Sequence, residues 1–252
     1  IGQRPLRVFL WVFGQTMLND VQFHPCLPLN FIRPLFYHRE FTLIKNESPP
    51  FLITSLLLYL IDFEKVTLRK IEELKFDNSF SRLKADFYQE KDPDPVTEPY
   101  LVNFSPGASE LIGLQPEESD KPEFLEVFSG NKVLSGSKPL AMVYSGHQFG
   151  VYNPRLGDGR GLLLGETLNC DGEKWDIHLK GCGPTHFARG YDGRATLRSS
   201  IREYLGGEAL HGLGIPTTRS LAVIGIRELI YREIPELAAI LVRISDTHIR
   251  FG

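Results

Sequence analysis

The sequence contains few of the features that mark a specialised class of protein. Its 252 residues include only three cysteines and two methionines, and its formal net charge is -3. Three cysteines cannot form a framework of paired disulfides, which favours a reducing, intracellular compartment. A nearly balanced charge gives no general electrostatic reason to bind nucleic acid or an anionic membrane surface. We therefore expect neither nucleic acid nor a membrane among the partners.

Long hydrophobic runs and metal-ligand spacings are also missing. The apolar stretch at 51–61 is shorter than the roughly 20 residues that a membrane-spanning helix needs, and Asp62 ends it. No Cys-x-x-Cys or His-x-x-x-His pair occurs in the chain. His147 and His178 have no partner at a metal-ligand spacing, so we interpret both as structural residues. The sequence gives no support for a zinc site.

The composition is that of an ordinary globular protein, with 42% hydrophobic and 23% charged residues, but the chain is not uniform. Residues 1–65 are broken by prolines and poor in acids, and we predict a poorly defined segment outside the folded module. An arginine-rich targeting peptide is the alternative interpretation. Residues 66–252 are predicted to form the folded region. Because the chain starts at Ile1 and stops at Gly252, we expect a fragment.

The second half of the chain alternates strands, tight turns and one long helix. An Asp-Gly turn at 171–172 joins strands predicted at 162–166 and 174–180. In the second strand, Trp175, Ile177 and Leu179 share one face. This pattern predicts an α+β fold in which a twisted antiparallel sheet carries one long packed helix, with an N-terminal helical extension.

Further elements are predicted from local signals. Short helices are expected at 66–74 and 106–114, the second closed by Gly113. The long helix is expected at 195–213, followed by strands at 220–224, 228–232 and 239–244. The helix has a predicted buried stripe at helical spacing, which consists of Leu197, Ile201, Tyr204, Leu205, Ala209 and Leu213.

A glycine-rich turn at 156–161 is the first candidate for binding chemistry. Gly157 and Gly159 would let backbone N–H groups approach a phosphate closely, and Arg160 could add a bidentate donor. An ordinary Gly-Asp-Gly turn with no ligand is the alternative.

A strand lysine and a helix glutamate form the second candidate. Lys180 ends its strand beside a glycine-rich loop, and Glu203 lies 23 residues further on, in the long helix. A strand lysine oriented by a helix glutamate, downstream of a strand–glycine turn–strand unit, is the arrangement of a protein-kinase small lobe. The alternative is that Glu203 is an exposed acid that pairs with Ser199 or Arg202.

Arginines near the start of the long helix form the third candidate. Arg189, Arg194 and Arg198 flank the helix N-terminus, where the backbone dipole also favours anions. Arg243 and Arg250 follow in the last segments of the chain. Scattered arginines of this kind can equally be solvated surface residues.

Read in order, these clusters resemble the selenoprotein O family of kinase-like proteins. Seven ordered strings carry the resemblance: SGHQFG (145–150), LGDGR (156–160), LKGCGPT (179–185), DGR (192–194), LRSSIRE (197–203), GIPTTR (214–219) and HIRFG (248–252). The resemblance runs from about residue 74 to the end of the chain and leaves the first sixty or so residues unmatched.

The resemblance implies a kinase-like fold that holds ATP in a flipped orientation and transfers AMP to Ser, Thr or Tyr hydroxyls of proteins. The implied nucleotide-binding residues are Gly157, Gly159, Arg160, Lys180, Asp192, Gly193, Arg243 and Arg250, with Glu203 orienting Lys180. By the same resemblance, the compartment is the cytoplasm in a bacterium and the mitochondrion in a eukaryote.

The resemblance also places essential parts beyond Gly252, including the large lobe, the catalytic aspartate and the Mg²⁺ ligands. We therefore expect no catalytic or metal-binding residue within the 252 residues, and no transferase activity from this chain alone. Two alternatives stay open. One is a non-catalytic ATP-binding pseudokinase or scaffold protein, and the other is an unrelated α+β binding domain.

Overall fold

The structure is a computed structural model that describes residues 68–249. These residues form eleven strands, three α-helices and short 3₁₀ turns. The strands are β1 (Lys75–Phe76), β2 (Tyr88–Glu90), β3 (Tyr100–Phe104), β4 (Leu140–Met142), β5 (Gly146–Gln148), β6 (Val151–Asn153), β7 (Gly161–Leu168), β8 (Lys174–Lys180), β9 (Ala195–Thr196), β10 (Arg219–Tyr231) and β11 (Pro235–Ser245). The helices are α1 (Pro106–Leu111), α2 (Pro122–Phe128) and α3 (Leu197–Gly212).

Nine of the strands form one sheet, in the order β2-β4-β7-β8-β11-β10-β3, with β1 beside β7 and β9 beside β11. All of its strand pairs are antiparallel. Strands β5 and β6 form a separate hairpin. An α+β fold with an antiparallel sheet and one long helix was predicted, and the described residues confirm that architecture.

The hairpin between β7 and β8 shows how local sequence sets the register. The backbone N–H groups of Asp171 and Glu173 both donate to Oδ1 of Asn169, at 2.9 and 2.8 Å. Gly172 has a φ of +79°, which a residue without a side chain adopts at little cost. The predicted turn is confirmed.

The main apolar core lies on one face of the sheet. Ile177 and Leu179 point from β8 into this core, where Phe124 and Phe128 of α2 are also fully buried. Because alternate residues of a strand point to opposite faces, Asp176, His178 and Lys180 of the same strand point to the other face.

Helix α3 packs on that other face. The hydroxyl of Thr196 caps its first turn by accepting a hydrogen bond from the Ser199 N–H, and Gly214, with a φ of +74°, follows its end. Tyr204 packs against Val223 and Leu241 of the sheet.

The predicted apolar stripe of this helix is mostly wrong. Leu205 and Leu213 are 62% and 74% exposed, and Ile201 is also exposed, whereas the buried residues of the helix are Ser200 and Tyr204. The stripe fails because the side of α3 that faces the sheet carries a polar residue and a carboxylate as well as apolar groups.

Other element boundaries also differ from those predicted. The strands predicted at 220–224 and 228–232 form one strand, β10, whose pairing with β11 shifts register between Gly225 and Leu229. In the stretch predicted as a helix at 66–74, a 3₁₀ turn occupies only Ile71–Glu73. The predicted segment 1–65, with its helical extension, lies outside the described residues.

A search of residues 68–249 for membrane-spanning segments found no helix with the length and hydropathy needed to cross a bilayer.

Candidate functional site

Three charged side chains meet on the face of the sheet that carries α3. Oε2 of Glu203 accepts a hydrogen bond from Nζ of Lys180. Oε1 of the same carboxylate accepts a hydrogen bond from Nε of Arg243 at 2.7 Å and forms an ion pair with Nη2 at 2.6 Å. The structure thus brings Lys180, Glu203 and Arg243 together in one group, which we call the charged cluster.

The strand register explains why the two cations are neighbours. Lys180 lies opposite Leu241 in the pairing of β8 with β11, and Arg243 lies opposite His178. Both side chains therefore point to the same face, two residues apart along the ladder. Glu203 reaches them from α3, whose Tyr204 packs on the adjacent residue Leu241.

The electrostatics of the charged cluster leave it with an excess of positive charge. Burial and the neighbouring charge of Arg243 lower the pKa of Lys180, against the opposing effect of Glu203. Burial alone would raise the pKa of Glu203, but Arg243 and Lys180 outweigh that effect and hold the pKa below its ordinary value. One carboxylate therefore balances two cations, and an anion can supply the remaining charge.

The glycine-rich turn lies directly beside Lys180. The carbonyl of Arg160 accepts a hydrogen bond from the Gly181 N–H at 2.7 Å, and Gly161 pairs with Lys180 in the sheet. The Arg160 side chain is exposed, and its charge adds to those that lower the pKa of Lys180. Arg160 is therefore a third cation at the edge of the charged cluster.

The two glycines of this turn are explained by close packing. A Cβ atom at Gly157, where φ is +62°, would lie 2.3 Å from the ring of Phe187. A Cβ atom at Gly159 would lie 2.8 Å from the Phe187 carbonyl oxygen. Only glycine fits at these positions unless the segment around Phe187 moves.

The remaining residues of the predicted site lie elsewhere or outside the described range. Asp192 accepts two hydrogen bonds from Arg232, at 2.7 and 2.9 Å, and forms no described contact with the charged cluster. A Cβ atom at Gly193 would lie 2.0 Å from the Pro184 nitrogen, in the loop that follows β8. Arg250 lies outside the described residues.

Sequence reasoning missed two buried carboxylate–imidazole pairs on the same face. Nε2 of His178 lies 3.3 Å from Oδ2 of Asp158, and Nδ1 of His248 lies 3.1 Å from Oδ2 of Asp176. The signal that could have found them is the alternation of polar residues at positions 176, 178 and 180 in an otherwise apolar strand.

Two concavities of the described surface are lined by residues of the elements that carry the charged cluster. A hollow of about 370 Å³ is lined by Asp176, His248 and residues of β4 and β7, among others, and Lys180 does not line it. A shallow groove between α3 and the β10–β11 hairpin is lined by Leu197, Ile201 and Leu237. The three residues of the charged cluster line neither of these two concavities.

The described residues contain no preformed cluster of metal-ligating side chains. Between residues 68 and 249, no group of three or more His, Cys, Asp or Glu side chains could hold a metal ion. Glu203, the acid of the charged cluster, already bonds Lys180 and Arg243.

Comparison with known proteins places this geometry in a family. The sequence model of the family described as protein adenylyltransferase SelO matches residues 70–252. The chain belongs to the SelO family. The SelO match contains Lys180, Glu203, Arg243 and the glycine-rich turn, so the charged cluster lies wholly within the family region.

Curated relatives named "Protein nucleotidyltransferase YdiU" agree with the SelO match. The Myxococcus xanthus relative is 57% identical over 182 residues, which cover 72% of this chain and 37% of the relative. The relatives from Thioalkalivibrio sulfidiphilus and Pseudomonas paraeruginosa are 53% and 56% identical over 185 residues, 73% of this chain and 38% of each relative. The chain therefore spans less than half the length of these relatives.

Proposed function

We propose that this chain is the nucleotide-binding part of a protein adenylyltransferase, which transfers AMP from ATP to Ser, Thr or Tyr hydroxyls of other proteins. The observation that carries the proposal is the charged cluster, in which Glu203 holds Lys180 and Arg243 side by side. Membership of the SelO family and the name of the YdiU relatives support the same activity.

The architecture supports a kinase-like small lobe. An antiparallel sheet carries a lysine at the end of β8, and the long helix packed on that sheet supplies the glutamate that binds it. In protein kinases, a strand lysine paired with a helix glutamate holds the nucleotide phosphates. We assign Lys180 and Glu203 to these two roles.

The charge of the site is opposite in sign to that of a triphosphate. Lys180 and Arg243 share one carboxylate, and Arg160 adds a further guanidinium at the rim. Guanidinium groups bind phosphate oxygens bidentately, whereas an ammonium acts as a compact point charge. We propose that these three residues bind the ATP phosphates, and the family resemblance adds Arg250.

The proposed reaction is displacement at the α-phosphorus. The substrate hydroxyl oxygen forms a bond to the α-phosphorus, and the bond from that phosphorus to the oxygen bridging to the β-phosphorus breaks. AMP becomes esterified to the protein, and pyrophosphate leaves with the electron pair of the broken bond. Fixed cations such as Lys180 and Arg243 stabilise the charge that builds up on the phosphate oxygens.

Other parts of the reaction are expected outside this chain. The hydroxyl proton must pass to a base, and Glu203 is unsuited to that role because two cations hold its pKa down. The resemblance assigns the base and the Mg²⁺ ligands to positions beyond Gly252. We therefore propose that the 252 residues bind ATP and that transfer needs the longer gene product.

A labelling experiment tests the activity. The full gene product is incubated with a mixture of candidate proteins and ATP that is labelled on either the α- or the γ-phosphate. We expect protein-bound label from α-labelled ATP only. Label from γ-labelled ATP would show phosphoryl transfer and refute AMP transfer. ATP binding with no label from either form would support the alternative of a non-catalytic ATP-binding protein.

Paired lysine variants test whether the charged cluster binds the nucleotide. Lys180→Ala removes a cation from the proposed phosphate site, and we expect ATP to bind the chain at least about tenfold more weakly, by calorimetry. Lys174→Ala is the matched control, since Lys174 lies on the same strand but pairs with Asp77 at the surface. Equal affinities of the two variants would contradict the assignment.

A further inference from the structure

Two buried carboxylate–imidazole pairs meet ring to ring beside the charged cluster. Asp158 contacts His178, Asp176 contacts His248, and the two imidazole rings stack with centroids 4.7 Å apart and planes 19° from parallel. All four residues are buried, and His178 is only 1% exposed. We call this group the histidine stack.

The sheet places the histidine stack next to the proposed phosphate-binding residues. His178 lies two residues before Lys180 on β8 and directly opposite Arg243 on β11. Its ring and the side chains of those two cations therefore project from the same face. The His178 ring therefore lies next to both cations of the charged cluster in the sheet.

At one end of the histidine stack, His178 packs against the glycine-rich turn. A Cβ atom at Gly161 would lie 2.5 Å from Cε1 of His178, so the imidazole ring occupies the space that a side chain there would fill. The same ring contacts Asp158, two residues before Arg160. His178 therefore touches the turn on both sides of Arg160.

The other end holds the segment that follows β11. The backbone N–H and Nδ1 of His248 both lie within hydrogen-bond distance of Oδ2 of Asp176, at 2.8 and 3.1 Å. These contacts fold the segment back onto β8. Two residues further along the chain is Arg250, the last arginine implied by the family resemblance.

The histidine stack contains buried polar atoms that an apolar core would not contain. Nδ1 of His178 and Nε2 of His248 are buried and have no hydrogen-bond partner among the described residues. Leaving buried polar atoms unpaired destabilises the folded state, and two apolar rings of similar size would avoid that cost. Polar groups retained at such a cost suggest a role beyond packing.

We propose that His178 and His248 are positioning residues for the nucleotide phosphates, which fix the glycine-rich turn and the segment after β11 relative to Lys180 and Arg243. Through its contacts with Asp158 and Gly161, His178 fixes the position of Arg160. Through its two contacts with Asp176, His248 fixes the segment after β11 against β8. This inference rests on the proposed function, because it requires that these cations bind a triphosphate.

Nucleotide binding by the 252-residue chain tests the inference. In His178→Leu, the hydrogen bond to Asp158 is lost, and we expect ATP affinity to fall at least about tenfold. We expect AMP affinity to fall less than about threefold, since AMP lacks the β- and γ-phosphates that the displaced arginines would bind. His178→Gln retains an N–H donor for Asp158 and should restore most of the ATP affinity. His211→Leu, at an exposed position of α3, is the control.

The second end of the histidine stack is tested with His248→Phe. Phenylalanine keeps the ring stack but removes the ring nitrogen that contacts Asp176, and we expect a loss of ATP affinity with little change for AMP. This variant and His178→Gln preserve the ring or the donor, so they report on the inference even where His178→Leu does not fold. Circular dichroism establishes which variants are folded.

The outcomes separate this inference from the proposed function. Failure of the unsubstituted chain to bind ATP would overturn both. ATP binding by that chain, together with unchanged ATP affinity in folded His178→Leu and His248→Phe, would overturn the positioning role alone. Equal losses for ATP and AMP would also overturn it, because they would indicate a general structural effect.

Discussion

Glu203 is the residue on which the charged cluster depends. It divides its two carboxylate oxygens between Lys180 and Arg243, so neither cation has a carboxylate of its own. The Glu203 carboxylate therefore fixes the positions of both the Lys180 and the Arg243 side chains. It also leaves the pair short of negative charge, which is the property that an incoming phosphate would meet.

His178 gives the stability of the protein a specific dependence on pH. Burial lowers the pKa of His178 to about 4, from an ordinary value of 6.5, although Asp158 acts in the opposite direction. As the pH falls through 6.5, the unfolded chain binds a proton that the folded chain does not, so folding becomes less favourable. We expect the free energy of unfolding to fall by up to about 3 kcal/mol between pH 7 and pH 4. Urea unfolding at a series of pH values measures this.

The His178→Gln variant is the control for the pH effect. Glutamine does not titrate, so the loss of stability between pH 6.5 and 4.5 should become smaller in this variant. Carboxylates with lowered pKa values, such as Glu203, lose their contribution mainly below pH 4.5, outside that window. Identical pH profiles for the variant and the unsubstituted chain would contradict the assignment to His178.

At the residue scale, the sequence predicted contacts that depend on a recognised spacing. Lys180 and Glu203 were found from a strand lysine followed by a helix glutamate, and the structure brings them together. Asp158 and His178 could not be paired in this way, because the turn and the strand approach each other only in the folded sheet. Asp192 illustrates the same limit, since its partner Arg232 lies 40 residues away in the sequence.

The glycine-rich turn is the element whose shape is most closely tied to its neighbours. Gly157 and Gly172 both have a positive φ. A Cβ atom at Gly157 would collide with the ring of Phe187, whereas a Cβ atom at Gly172 would meet nothing within 4 Å. We expect Gly157→Ala to destabilise the fold by about 1–3 kcal/mol more than Gly172→Ala, because overpacking adds to backbone strain. Chemical denaturation of the two variants gives the comparison.

The contact with Phe187 can be tested separately. Combining Gly157→Ala with Phe187→Leu removes the aromatic ring that the new methyl group would meet, 2.3 Å from its position. The double variant should therefore be less unstable than the sum of the two single changes predicts. Additive effects would show that the ring is not the obstacle.

At the element scale, local signals predicted more than amphipathic periodicity did. The Asp-Gly turn was found because its determinants lie within a few residues of each other. The apolar stripe of α3 was wrong because periodicity identifies apolar residues without showing what covers them. Leu205 and Leu213 satisfy the pattern and still lie on the exposed side.

The molecule as a whole has two unlike sheet faces. One face holds the main apolar core with α1 and α2, and the other carries α3, the charged cluster and the histidine stack. The net charge of -3 describes the whole chain and does not show that two cations share one carboxylate in the charged cluster. For this reason, the overall charge of the chain did not predict an anion site, whereas the motifs did.

We expect ATP to stabilise the folded molecule by mass action. At a hundredfold excess of ATP over its Kd, the gain is about 2.7 kcal/mol. For a domain of this size, that corresponds to a rise in Tm of roughly 5–10 °C. Thermal unfolding with ATP, with adenosine and at raised salt measures it. A shift with adenosine as large as that with ATP would contradict phosphate binding as its source.

The antiparallel pairing of β8 with β11 makes the site sensitive to insertions far from it. Strands β10 and β11 are joined by a short turn, and Arg243 lies eight residues beyond the start of β11. One extra residue within β11 would rotate every later side chain of that strand to the opposite face. The guanidinium of Arg243 would then enter the apolar core, and Val242 would take its place beside Glu203. Changes of chain length in this strand should therefore be tolerated less well than substitutions of its exposed residues.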